Sequence, residues 1–189
     1  MVAQPKRTIS VQTYFQRDQA SDDKLEYYAG IVVTQAGASA RHNTIVANII
    51  GHLYSIVQAK GCRIYPSDLR VQAIAQRVYT YPDLTLVCGK PQFLEPSEQT
   101  LINPSVILEI MSPSTEMRDR REKLEYYRQI PSLQEYLLIA QHMPYVQRYV
   151  RQTPHFWYVH LIDDRATSIR FDMLDYELSL DAIYTNVEF

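Results

Sequence analysis

The chain has 189 residues, 46% of them hydrophobic and 21% charged, with a formal net charge of -2. That balance suits one soluble globular domain over 1–189, with 1–8 a flexible N-terminus, and argues against tight non-specific DNA binding through bulk charge. No apolar run approaches the roughly 18 residues of a membrane span, and M-V-A-Q-P-K-R-T-I-S lacks the apolar centre of a signal peptide, so a cytoplasmic protein with no membrane partner is expected.

Only five glycines are present and none form a Gly-rich loop, which argues against a Rossmann or P-loop nucleotide site. Residues 9–29 mix Tyr14, Phe15, Leu25, Tyr27 and Tyr28 with acids and predict a short helix. Gly30 introduces the strand I-V-V-T-Q, and G-A-S-A turns the chain. Residues 42–59 predict a helix whose buried face carries Ile45, Ile49, His52 and Ile56, widened by Val46, Ile50 and Val57, with Lys60-Gly61 as its stop. Two β-rich runs follow, R-I-Y-P-S-D-L-R-V-Q and V-Y-T-Y-P-D-L-T-L-V-C, expected to be neighbouring strands. Cys62 and Cys88 fall in different apolar runs without paired spacing, so both read as packing residues of a chain kept reduced.

A loop with Pro91, Pro96 and Pro104 leads to the strand V-I-L-E-I-M (106–111). S-P-S-T ends that strand and opens a helix from about Thr115 to Gln129, with Glu116 and Asp119 complementing its positive N-terminus and Pro131 closing it. E-Y-L-L-I-A reads as a strand, continued antiparallel by Y-V-Q-R-Y-V-R and F-W-Y-V-H-L-I. The tail D-M-L-D-Y-E-L-S-L-D-A-I-Y reads as loop and short strand. The fold class is therefore α/β, a central mixed sheet flanked by two main helices.

Two carboxylates interrupt the apolar strands: Asp83 in Y-P-D-L-T-L-V and Glu109 in V-I-L-E-I-M. An unpaired buried charge costs several kcal/mol, so acids in such runs point to a site. By strand alternation Glu109 shares a face with Ile107 and Met111, and Asp83 with Thr85 and Val87. Carboxylate oxygens with water suit Mg²⁺ or Mn²⁺. Lys123, about two turns into the following helix, reaches back to that site or forms an i,i+4 pair with Asp119.

Further candidates carry two readings each. His42 is a phosphate or metal contact, or a helix-start surface group; Asp68 is a further acid of the cleft, or a partner of Arg70. Glu26 leans into the site from the first segment, as a ligand through water. His52 reads as a buried, satisfied histidine, while His142, His155 and His160 show no ligand spacing. Ser112 and Ser114 read as helix-start hydrogen bonders, since no His/Asp arrangement accompanies them. The fifteen tyrosines read as core and rim packing more readily than as base-stacking platforms. Arg118, Arg120, Arg121, Lys123 and Arg128 crowd one stretch and allow a locally basic surface.

The strings Y-P-D-L-T-L-V, V-I-L-E-I-M-S-P-S-T, R-D-R-R-E-K-L-E-Y-Y and P-S-L-Q-E-Y-L-L-I resemble the Uma-type family of restriction endonucleases, within the PD-(D/E)XK nuclease superfamily. E-Y-Y-A-G-I-V, R-H-N and P-S-D-L-R-V fit the same pattern, so the resemblance covers nearly the whole chain. Its most specific part is E-x-x-S-P-S-T-x-x-x-D-x-x-x-K-x-x-Y, from Glu109 to Tyr126. The resemblance implies a restriction-endonuclease-like fold, with Pro82-Asp83 as the PD element and Glu109 as the acid of the next strand. Met111 stands where the superfamily places its lysine, and Lys123 resembles a migrated replacement. Glu26, His42 and Asp68 match further family positions.

The function this implies is metal-dependent hydrolysis of DNA phosphodiester bonds, with Asp83 and Glu109 as Mg²⁺ (or Mn²⁺) ligands, Lys123 near the attacked phosphate, and a homodimer by analogy. The rivals are a nuclease-like binding or assembly module without cleavage, and a metal-dependent hydrolase of a small phosphorylated substrate. A basic groove beside the carboxylates disfavours the binding module; an acidic or apolar one favours it.

Overall fold

The computed structural model describes residues 8–35, 37–112 and 119–189. Helix α1 (Val11–Gln19) starts where the Thr13 amide donates to the Ser10 hydroxyl at 3.1 Å. Strands β1 (Leu25–Tyr28) and β2 (Ile31–Thr34) form a hairpin. Its two-residue turn, Ala29-Gly30, needs positive φ at both positions, 47° and 100°, and a Cβ on Gly30 would lie 2.7 Å from the Thr8 Cβ.

Helix α2 (Ala40–Ala59) is capped by Ser39, whose hydroxyl accepts the His42 amide. It buries Ile45, Ile49, Leu53 and Val57. Steps of four carry the apolar stripe through Leu53, so His52, expected on the buried face, is exposed to solvent. The helix ends at Lys60-Gly61, as the sequence implies.

The two β-rich runs each break into two strands: β3 (Cys62–Pro66) and β4 (Arg70–Ile74), then β5 (Val78–Thr80) and β6 (Leu84–Cys88). Proline, which has no N–H to give a ladder, sits at both breaks, as Pro66 and Pro82. β4 pairs with β5 and β3 with β6, all antiparallel, so the two runs are neighbours as expected, but in two different sheets.

Strands β7 (Thr100–Leu101) and β8 (Val106–Met111) follow. A π-helical turn, Asp119–Lys123, runs directly into α3 (Leu124–Tyr127). The expected helix start at Thr115, with Ser114, Glu116 and Arg118, lies outside the described residues, and the described helix stops at Tyr127. Then come β9 (Glu135–Ala140), β10 (Val146–Thr153), β11 (Phe156–Ile162), β12 (Ser168–Phe171), β13 (Tyr176–Ser179) and α4 (Leu180–Ile183).

The mixed six-stranded sheet has the order β11-β10-β9-β8-β6-β3, with β8 and β9 parallel. A five-stranded sheet runs β2-β1-β5-β4-β7, and β12 pairs with β13. Alternation along β8 divides the core. Val106, Leu108 and Ile110 pack against α2, the β12–β13 pair and α4. Ile107 and Met111 pack on the other side with Val71 and Ala73 of β4, Tyr127 and Leu138. Tyrosines occupy this interior: Tyr14, Tyr79, Tyr127, Tyr136 and Tyr184 are fully buried.

The cysteines differ from the expected reduced pair. Antiparallel pairing of β3 and β6 sets Cys62 directly across from Cys88, Cα atoms 4.1 Å apart, and their sulfurs form a disulfide. A separation of 26 residues concealed that strand register, and the cysteine-based case for a reducing compartment falls with it. Among the described residues no helix is long and apolar enough to cross a membrane.

Candidate active site

Asp83 immediately precedes β6. The β6–β8 register pairs Leu84 with Leu108, and one further step sets Asp83 across from Glu109. The Ile110 amide donates to Asp83 Oδ2 at 2.7 Å, tying the acid to β8. On its other oxygen, Oδ1, Asp83 lies 3.2 Å from His42 Nε2 in the first turn of α2.

Glu109 projects from the middle of β8 and is buried. Lys123 Nζ donates to its Oε1 at 2.9 Å, and the Tyr127 hydroxyl donates to the same oxygen at 2.7 Å. The same ammonium lies 3.4 Å from Glu26 Oε1 and 3.5 Å from Asp119 Oδ1. The two readings of Lys123 are thus both realised: it pairs with Asp119 along the helix and also meets the strand acid. Glu26, on β1, accepts the Tyr28 hydroxyl at 2.8 Å and the Tyr81 amide at 3.2 Å.

Lys123 thus lies among several acids that are nearly closed off from water. Burial pushes the Glu109 carboxyl well above the usual carboxylate range; Lys123 pulls it back, while Asp83, Asp119 and Glu26 push it further up. Burial opposes the charge of Lys123, but Glu109 and Glu26 outweigh it and hold the ammonium well above the usual lysine range. Tyr127 keeps its proton, raised by burial and by Glu109.

The acids open on a cleft of about 560 Å³ lined by Glu26, His42, Asp83, Glu109, Asp119 and Lys123, among others. Asp68 lies apart, exposed and paired with Lys24 at 2.8 Å rather than with Arg70. Arg70 instead lies beside a second cavity of about 770 Å³, where Asp18, Thr100 and Glu95 hold it over the Phe15 ring. Ser112 lines the carboxylate cleft, and Ser114 lies outside the described residues. Met111 is buried in the core, consistent with its apolar side chain.

Tyr127 is the member that reading the sequence missed, and Asp119 entered as a helix-start acid and a partner of Lys123. The signal for Tyr127 was its place four residues after Lys123, which puts both on one helix face. Its hydroxyl also lies 3.0 Å from Thr80 Oγ1, linking helix, β8 and β5.

Comparison with known proteins agrees with this architecture. Residues 11–182 match the Uma2 family, described as "Putative restriction endonuclease". The uncharacterized protein sll1609 of Synechocystis is 31% identical over 174 residues, covering 92% of this chain and 98% of its own. A second Synechocystis protein, slr1290, is 29% identical over 187 residues, 98% of this chain and 96% of its own. A crystal structure from Anabaena variabilis, described as a "putative nuclease belonging to DUF820", superposes with a TM-score of 0.78 at 17% identity, over 94% of this chain and 98% of that one. The fold is shared with that structure, and the chain is a member of the Uma2 family.

Proposed function

We propose that the chain is a metal-dependent endonuclease that hydrolyses DNA phosphodiester bonds, with Asp83 and Glu109 holding Mg²⁺ or Mn²⁺. The observation that carries this reading is the 2.9 Å contact between Lys123 Nζ and Glu109 Oε1, in the cleft that also holds Asp83. The helix lysine thereby meets the strand acid that Met111 cannot serve. The descriptions of the Uma2 family and of the Anabaena variabilis protein support a nuclease.

The donor set fits a hard cation, since Asp83 and Glu109 offer carboxylate oxygens only. Among the described residues no three His, Cys, Asp or Glu side chains converge as a metal cage, so water would complete the coordination, as Mg²⁺ prefers. When bound, the ion supplies positive charge for a phosphoryl oxygen and lowers the pKa of a water. Asp83 is held in place by the Ile110 amide, and Glu109 by Tyr127. The Lys123 ammonium orients the attacking water and offsets charge that builds on the phosphoryl group.

A nuclease-like binding module is favoured by one feature of the cleft. Among the described residues, Asp22, Asp23, Glu26, Asp83, Glu109 and Asp119 line it beside Lys24, Lys123 and His42, and acidic walls repel a phosphate backbone. The deciding experiment incubates the full chain with plasmid DNA, linear DNA and RNA in Mg²⁺ or Mn²⁺, with calorimetric titration of each metal. Cutting that EDTA and Asp83→Ala both abolish supports the nuclease. Neither cutting nor metal uptake would leave the binding module standing.

A further inference from the structure

We infer that β11 is a self-association edge, at which a second copy of this chain adds its own β11 antiparallel about a two-fold axis through Val159. This does not rest on the nuclease reading. β11 ends the six-stranded sheet and pairs on one side with β10, so its other side offers backbone N–H and C=O groups. Of the nine exposed large hydrophobic residues among those described, four stand on this strand: Phe156 at 51%, Tyr158 at 54%, Val159 at 48% and Leu161 at 63%. That concentration marks a surface and not scattered exposure.

Both faces of the strand are apolar. Phe156 and Tyr158 stack edge to face at 5.1 Å on one side; Val159 and Leu161 lie beside Trp157 on the other. A globular partner seated on one face would leave the other bare, whereas an added strand covers both and satisfies the edge. From 156 to 162 no Asp, Glu, Lys or Arg occurs, so the usual charged guards of a free edge are missing and like copies meet without repulsion.

The sequence of β11 is also self-complementary when reversed. With Val159 opposite itself, Tyr158 meets the partner's His160, Trp157 meets the partner's Leu161, and Phe156 meets the partner's Ile162. One step further, Asp163 meets the partner's His155, an acid against an imidazole. Such a contact is isologous and closes at two copies.

Sedimentation equilibrium on the full chain tests the inference, using Val159→Lys and Val159→Glu separately and mixed. The wild type is expected to be dimeric. Each variant alone places like charges across the axis and should associate roughly 100-fold more weakly, while its circular dichroism spectrum stays that of the folded wild type. An equimolar mixture should regain the dimer, because lysine then faces glutamate, an outcome no folding defect can produce. Leu161→Lys provides a second disruption away from the axis. A monomeric wild type, a dimer that survives all three substitutions, or a mixture no more associated than its components would overturn the inference.

Discussion

Two of the buried charge clusters among the described residues, those at Arg148 and at Lys123, are built differently. At the Arg148 cluster the guanidinium lies 2.8 Å from Glu135 and 2.6 Å from Asp172, while the Asp172 and Met173 amides donate to the second oxygen of Glu135. Two acids meet the forked Arg148, two amides and, at Asp172, Arg170 as well, so each acid has several donors. At Lys123 one point charge faces Glu26, Glu109 and Asp119 beside Asp83, at the wall of a cleft. Burial of charge alone therefore does not mark function. What sets the Lys123 cluster apart is its place at the wall of a cleft that a ligand could enter.

Substitutions should separate the two clusters. The largest effect is expected from Arg148→Ala, which leaves Glu135 buried without its cation: about 3–5 kcal/mol of stability lost in urea unfolding, with activity per folded molecule retained. Asp83→Ala should remove roughly 100-fold or more of any metal-dependent cleavage at a smaller stability cost, about 1–2 kcal/mol for the Ile110 amide left without its acceptor. Tyr127→Phe removes one donor from Glu109 and is expected to cost about 1–2 kcal/mol, read by thermal unfolding. Glu109→Gln relieves the crowding of acids and should raise stability by about 1 kcal/mol as cleavage disappears; a loss of stability instead would make the two clusters alike.

The smallest effect concerns pH. Burial raises the Glu135 carboxyl above its usual range, against the opposing pull of Arg148. A carboxyl whose folded pKa is raised contributes stability that is full below the unfolded value, about 4.3, and is lost as pH rises through the folded one. Wild-type stability should therefore fall more steeply than that of Glu135→Gln as pH rises across that window. Parallel curves from urea titrations at several pH values would remove this distinction.

Much of this was legible because it is local. Alternation in V-I-L-E-I-M placed Glu109 on the face of Ile107 and Met111, and the core divides along that line. The stretch from Glu109 to Lys123 also kept its two ends together in space. What escaped depends on pairing between distant segments. Nothing in the neighbourhood of Cys62 indicates that Cys88 lies opposite, and nothing in P-S-D-L-R-V shows that the run splits between two sheets. Asp68 looked like a cleft acid until the turn carrying it met Lys24. His52 was misplaced for a simpler reason, a step of three taken where the helix packs by steps of four.

The π-helical turn Asp119–Lys123 sets where the Lys123 ammonium falls. A π turn holds one residue more than an α turn, and each residue rotates a helix by about 100°. Deleting one residue there would leave every strand intact but swing the ammonium out of reach of Glu109. Such a deletion is expected to cost the Lys123–Glu109 contact while Asp83 and Glu109 keep their places on the sheet.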